Sequence, residues 1–246
     1  MSYASEELFA FTLARLIGDA RHVAVGAASP IPATAAFFLR AKNGGLPRIS
    51  LLQRRKGNPF TDGSRELFDL AGQGRIDVFF LGGAQIDGEA NINLVGTGEY
   101  PRTQARFPGS FGSAFMYFAA GRTILFREEH SVRVLVQRVD FISAPGWSAP
   151  GVWRRGGPQA FLTGKALFGW QKDKRRFRLE SVHPGHTVEE IRENTGFEFD
   201  CAGAVPQTPE PDESALALLR GAVAREIAAD YPEFARRVWG VEEACR

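Results

Sequence analysis

The sequence predicts an α/β fold built on an open, mainly parallel sheet with helices on both faces. Three observations carry this. His22 to Val25, Ile49 to Leu52 and Ile76 to Leu81 are short and almost wholly apolar, as strands covered on both faces are. Between them lie longer stretches with helical periodicity. Glycine and proline punctuate the boundaries. A chain of 246 residues, 44% hydrophobic and 24% charged, has enough apolar surface for a sizeable core. It is expected to form one domain over residues 1–246, with a helical C-terminal segment from about residue 213.

The elements follow in order. Ser5 is placed to cap a first helix, with Glu6 and Glu7 in its first turn. Leu8, Thr12, Leu13, Leu16 and Ile17 fall on one face, and Gly18 closes it. After the strand His22–Val25, the loop Gly26 to Pro30 opens a second helix that runs to about Lys42. Ser64 to Leu70 reads as helical, and Ile76 to Leu81 as a strand ending in Gly82-Gly83. Thr123 to Phe126 and Val132 to Val139 read as further strands. The region holding Phe161 to Trp170 and Phe177 to Val182 reads as irregular. Thr187-Val188-Glu189-Glu190 has the form of a capping box, for a helix ending near Asn194. Val205 to Pro211 is a proline-rich connector. A long amphipathic helix runs from Glu213 to about Asp230, with a short one over Pro232 to Trp239.

Bulk properties exclude several function classes. A net charge of +2 gives no basis for nucleic-acid or membrane binding. Met1 to Glu7 shows no basic stretch followed by an apolar one, so no signal peptide is read and the chain is expected in the cytoplasm. Cys201 and Cys245 match no zinc spacing and read as unpaired thiols in a reducing compartment. His183-Pro184-Gly185-His186 reads as a turn, and His130 after Glu128-Glu129 reads first as a solvated strand end and second as a metal-like or acid/base group, so no metal site is expected. No G-x-S-x-G elbow is present for a serine nucleophile. Lys172 to Arg178 reads as a solvated hairpin, or secondarily as a patch for a phosphate.

The chemistry concentrates between Phe80 and Ser113. Gly82 and Gly83 lie at the carboxyl end of a parallel strand, where ligands bind in open α/β sheets. Gln85, Asp87, Asn91 and Asn93 follow in what reads as an extended segment. Pro108-Gly109-Ser110-Phe111-Gly112-Ser113 then feeds a helix over Ala114 to Ala120. Two glycines let backbone N–H groups converge on one point, suited to a phosphate or a thioester oxyanion. By itself such a loop reads first as a plain strand-to-helix turn and second as a ligand loop. Phe107, Phe111, Phe115, Tyr117 and Phe118 crowd around it and read equally as an exposed apolar face or as internal core.

Several stretches in order resemble the β subunit of glutaconate CoA-transferase, in family I of the CoA-transferases. They are Gly26 to Ala33, Phe80 to Asn93, Phe107 to Ala114, Val139 to Gly146, and above all His183 to Phe199 (HPGHTVEEIRENTGFEF). The resemblance covers about Leu13 to Arg220. It implies an open α/β sheet, a partner α-type subunit, and coenzyme A bound as an acyl-CoA substrate. It assigns Gly82, Gly83, Gln85, Gly109, Ser110, Phe111 and Gly112 to the acyl-CoA site.

Two departures stand out. Transferases of this family carry a glutamate just after the second strand, which forms a thioester with CoA. Strand register puts that position at Gln53 or Arg54, an amide or a guanidinium, neither of which forms that intermediate. The family's ring-opening hydrolases of steroid catabolism also lack the glutamate. In such a site Arg54, Arg55 or Lys56 would face a substrate carboxylate, the alternative being a solvated loop. Ala90 stands where relatives have glycine. The leading expectation is therefore an acyl-CoA-processing subunit that hydrolyses or opens a ring. The alternatives are a true CoA-transferase subunit and a non-catalytic scaffold.

Overall fold

The structure is a computed structural model and describes residues 2–54, 58, 60 and 62–241. In chain order its elements are α1 (Ser5–Ile17), β1 (His22–Val25), α2 (Pro30–Lys42), β2 (Arg48–Leu51), α3 (Ser64–Gly72), β3 (Val78–Leu81), β4 (Gln85–Ile86), β5 (Ile92–Asn93), β6 (Gly96–Thr97) and β7 (Ala105–Arg106). Then come α4 (Ser113–Ala119), β8 (Arg122–Arg127), β9 (Pro158–Thr163), β10 (Ala166–Gln171), β11 (Arg176–Val182), α5 (Val188–Glu193), β12 (Asp200–Cys201) and α6 (Glu213–Leu218). A π-helical turn, Leu219–Val223, joins α6 to α7 (Ala224–Ala228), and α8 (Pro232–Trp239) follows. The fold is α/β with a mainly parallel sheet, as expected. β1–β2, β1–β3, β8–β9 and β11–β12 pair parallel, while β9–β10 and β10–β11 pair antiparallel. The chain divides into two compact units, one of Met1–Leu70, Arg75–Phe80 and Pro209–Arg246, the other of Ala71–Gly74 and Leu81–Thr208.

In the first unit, β1 lies between β2 and β3, and every residue of β1 and β3 is buried. Leu13, Ile17 and Phe37 are fully buried with them. The helix ends follow their sequence signals with one shift. Gly18, at φ 59, closes α1, but the N-cap is Ala4, one residue before the expected Ser5. The Glu7 carboxylate accounts for this by reaching back to accept the Ala4 N–H at 2.9 Å. Glu7 also accepts from Arg220 and Trp239. Burial pushes its pKa up, but these donors outweigh it and hold the carboxyl below its usual range.

In the second unit, Phe161 to Val182 forms the antiparallel β9–β10–β11 meander rather than irregular chain. The pattern is period two: Phe177 and Leu179 are buried, while Arg176, Arg178 and Glu180 face outward. β9, by contrast, shows no alternation, because Ala160 to Thr163 are all buried, and the inward side chains pack into one cluster of Phe161, Phe168, Phe177 and Phe197. Val132 to Val139 is not a strand. Ser131 O accepts from Val134 N and Leu135 N, closing a tight turn. Lys172 to Arg178 spans the β10–β11 hairpin, where Lys174 and Arg176 pair with Asp200.

His130 is buried, not solvated. Its ring bonds Thr163 Oγ1 at 2.8 Å and Thr195 Oγ1 at 3.0 Å. His183 bonds Thr208 Oγ1 at 2.7 Å and the Thr163 carbonyl at 3.0 Å. Burial pushes both imidazoles down to about 4. A histidine held neutral in the fold contributes stability that is full above its unfolded pKa and lost as pH falls towards the folded one. The window here is roughly pH 6.5 to 4. Urea unfolding should therefore show stability falling by on the order of 1–2 kcal/mol per histidine between pH 7 and pH 5. The double variant His130→Gln, His183→Gln should flatten that slope. A wild-type profile already flat over this range would contradict the assignment.

Candidate functional site

The segment after β3 is a tight hairpin, not the extended run expected from sequence. β4 and β5 pair antiparallel, Gln85 opposite Asn93 and Ile86 opposite Ile92. Asp87 organises the turn between them. Its carboxylate accepts from the backbone N–H of Glu89 at 3.1 Å, of Asn91 at 3.0 Å and of Val139 at 3.3 Å, and from the Asn91 amide at 3.2 Å. Burial still raises its pKa against these four donors. Ala90 closes the turn at φ 60. That is why relatives are expected to prefer glycine here: a left-handed residue with a Cβ is disfavoured.

The Gln85 amide is bonded at both its oxygen and its nitrogen. Gln85 Oε1 accepts from Asn93 Nδ2 at 2.7 Å and from Asp140 N at 3.0 Å, and Gln85 Nε2 donates to Asp140 Oδ2 at 3.1 Å. Asp140 Oδ2 also accepts the Gly98 N–H at 2.8 Å. Gly82 and Gly83 serve packing. A Cβ on Gly82 would lie 2.8 Å from the Phe126 carbonyl oxygen, and one on Gly83 would lie 2.8 Å from both Gln85 O and Ile92 Cγ2.

The glycine loop is anchored to this hairpin from below. Tyr117, on α4, is fully buried, and its hydroxyl donates to the Ala90 carbonyl at 3.0 Å. Burial raises its pKa far out of the titrating range. Arg154 covers the Tyr117 ring at 4.9 Å and donates to the carbonyls of Tyr117, Pro145 and Gly156. Arg155 donates to the Ala119 carbonyl at 3.4 Å. Two arginines thus satisfy open carbonyls at the C-terminal end of α4. Of the aromatic group around the loop, Tyr117 belongs to the core and its phenol finds a buried acceptor, whereas Phe111 and Phe115 are exposed.

Above the anchor the loop opens outward. Gly109 has φ 103, and a Cβ there would meet nothing within 4 Å. Phe111 has φ 42 and is 83% exposed. Gly112 caps α4, and Ser113 N donates to Ser110 O at 2.8 Å. α4 is only 7 residues long and so brings little helix dipole to the loop. An open cleft of about 780 Å³ flanks the Asp87–Asn91 turn and is lined with mixed charges including Glu89, Arg138 and Arg175. Among the described residues no cluster of His, Cys, Asp and Glu has the arrangement of a metal site.

Gln53 and Arg54 belong to the first unit. Gln53 is half-buried in the turn leaving β2, where Arg54 N donates to Leu51 O at 3.1 Å. The Arg54 guanidinium donates twice to Asp230 Oδ2, at 3.0 and 2.8 Å, lies 3.5 Å from Glu226, and covers the Phe37 ring at 5.1 Å. Its charge is therefore compensated inside the chain. Arg55 and Lys56 lie outside the described residues.

A family model described as Coenzyme A transferase matches residues 49–194, which span both regions. The chain belongs to that family. Among its relatives are the B-type subunits of two transferases. That of the 3-oxoadipate CoA-transferase of Pseudomonas knackmussii is 35% identical, over 63% of this chain and 62% of that one. That of the glutaconate CoA-transferase of Acidaminococcus fermentans is 31% identical, over 58% and 55%. The cholesterol ring-cleaving hydrolase IpdB subunit of Rhodococcus jostii is 28% identical over 63% of this chain and 62% of its own. The chain thus spans about six-tenths of the length of these curated relatives. The crystal structure of the decarboxylase AibA/AibB superposes with a TM-score of 0.77 at 25% identity, covering 98% of this chain and 100% of that one. One family fold thus carries names for transfer, hydrolysis and decarboxylation.

The two glycine groups of this family member respond differently to an added side chain. Gly83→Ala forces backbone and Ile92 apart and should lower stability in urea by about 1–3 kcal/mol. Gly109→Ala carries about 1–2 kcal/mol for its unfavourable φ, but enlarging it to Leu should add little because nothing lies within 4 Å, whereas Gly83→Leu should cost well beyond Gly83→Ala. Equal added costs of leucine at the two positions would contradict the division into a packed glycine pair and an open loop.

Proposed function

We propose that the chain is the B-type subunit of an acyl-CoA-processing enzyme that works with an A-type partner, and that it hydrolyses or ring-opens its substrate instead of forming a covalent glutamyl–CoA intermediate. The reading is supported by Gln53 and Arg54, the positions where the resemblance leads one to expect the transferase glutamate, and by the Arg54 charge being held by Asp230 and Glu226. An amide is a poor nucleophile and gives no stable thioester, and a guanidinium stays protonated near neutral pH. The ring-cleaving hydrolase and decarboxylase names among the relatives support a non-transferase chemistry on this fold.

On this reading the Gly109–Gly112 loop contacts the acyl-CoA, with Gly82, Gly83 and Gln85 fixing the hairpin that anchors it. Backbone N–H groups turned to one point stabilise the oxyanion that forms when water adds to a carbonyl. A rigid anchor matters because such donors act only if they need not reorganise. The second reading, a CoA-transferase subunit, is favoured by the names of the 3-oxoadipate and glutaconate relatives. It requires a carboxylate from elsewhere, on the partner or on this chain.

Two measurements on the complex with its partner separate the readings. Incubation with acyl-CoA followed by borohydride and peptide mapping should find no reduced glutamate in this chain. A modified glutamate, Glu66 for instance, would restore the transferase reading. Gly112→Val should abolish acyl-CoA binding in calorimetry while the fold persists, because a side chain there blocks approach to the loop. Unchanged affinity would make the loop merely structural.

A further inference from the structure

We infer that the open cleft beside the Asp87–Asn91 turn binds the phosphorylated adenosine end of the CoA thioester. That the ligand is CoA rests on the acyl-CoA reading above; the cleft itself rests on geometry. Its volume is about 780 Å³. Small-molecule and cofactor sites run from roughly 300 to 1,000 Å³. Its walls are the Asp87–Asn91 turn, parts of residues 137–142 and the tip of the β10–β11 hairpin. These walls are tied together. Asn91 Oδ1 accepts the Gly146 N–H at 3.1 Å. The next residue, Trp147, carries the Arg175 guanidinium 3.8 Å from its ring centre. Lys174 and Arg176, on either side of Arg175, both pair with Asp200 and fix the hairpin tip.

The charges left open in the cleft decide what it takes. Asp87 has both oxygens engaged in the turn, and Glu198 lies 3.5 Å from Arg176. Of the basic run Lys172 to Arg178, Lys174, Arg176 and Arg178 are paired with Asp200 or Glu180. Among the described residues, that leaves the lining guanidiniums of Arg138 and Arg175 and the lining carboxylate of Glu89 without a charged partner. Stacking on Trp147 holds the plane of Arg175 and leaves the N–H groups at its edge to donate. A guanidinium's fork of donors matches a phosphate. Glu89 offers only acceptors, which suits the exocyclic amine of adenine. Ile142, 46% exposed on the same lining, gives the flat ring apolar contact. An adenosine phosphate uses all three features, and inorganic phosphate only the first. Cleft and glycine loop share one anchor, since Tyr117 on α4 donates to the Ala90 carbonyl in the turn that walls the cleft. CoA carries its nucleotide at the far end of a long flexible arm, so it needs separate holds for thioester and phosphates.

The test uses the complex with its partner, and calorimetry with adenosine 3′,5′-bisphosphate, acetyl-CoA and inorganic phosphate. The bisphosphate should bind the parent, and the double variant Arg138→Gln, Arg175→Gln roughly tenfold more weakly, the scale of a lost charged hydrogen bond. Gly112→Val, which should lose acetyl-CoA, should bind the bisphosphate as the parent does. Should the double variant fail to assemble, Arg138→Gln alone carries the same test. A bisphosphate that the parent does not bind, or that parent and double variant bind equally, overturns the cleft and leaves the loop reading intact. Equal weakening of the bisphosphate by Gly112→Val and by the arginine changes overturns it too, since the arginines then act only through the fold. Inorganic phosphate binding as tightly as the bisphosphate overturns the adenosine part. Arginine-dependent binding of the bisphosphate by a parent complex that binds acetyl-CoA no more tightly keeps the cleft as a nucleotide site and makes the acyl-CoA reading fail.

Discussion

Asp87 is 3% exposed, and its carboxylate gathers the Glu89, Asn91 and Val139 amides into one turn. A buried carboxylate without such donors would be expensive, and donors without it would be left unsatisfied. That exchange fixes the Ala90 carbonyl as acceptor for Tyr117. Tyr117 in turn sets the seat of α4, and α4 sets the glycine loop. Arg154 and Arg155 hold the other end of the same helix through its open carbonyls. The loop that offers backbone to solvent thus stands on a buried polar base, which is what a preorganised site needs.

How much of this the sequence disclosed depended on whether a residue's role is local. The parallel strands and the helices of the first unit were legible because burial on both faces and helical spacing leave local patterns, as in β1 and α2. The α5 capping box was legible for the same reason, with Thr187 accepting the Glu190 N–H at 3.2 Å. The β9–β10–β11 meander was less so, because Ala160 to Thr163 in β9 are buried on consecutive positions and show no alternation. His130 looked solvated since its partners, Thr163 and Thr195, are 33 and 65 residues away in sequence. Tyr117 gave no sign of its buried acceptor, 27 residues upstream.

The candidate residues sort by the same logic. Gly82, Gly83 and Gln85 stand out in sequence, and inside the chain each has a packing or hydrogen-bonding role. Gly109 has no such packing role, since a Cβ there would meet nothing within 4 Å. Arg54 looked like a free cation for a substrate. Asp230 and Glu226, brought back by the C-terminal helices, take its charge. Family membership is settled by the match over residues 49–194, yet relatives of this fold carry names for different reactions.

The central claim is that the open loop, not the packed hairpin beneath it, meets the acyl-CoA. Amide hydrogen exchange on the complex with its partner, with and without a non-hydrolysable acyl-CoA analogue, tests it directly. The account predicts slowed exchange over residues 109–113, with Asp87 to Asn93 already protected and unchanged. Protection elsewhere in the complex, with 109–113 exchanging as fast as before, would contradict it.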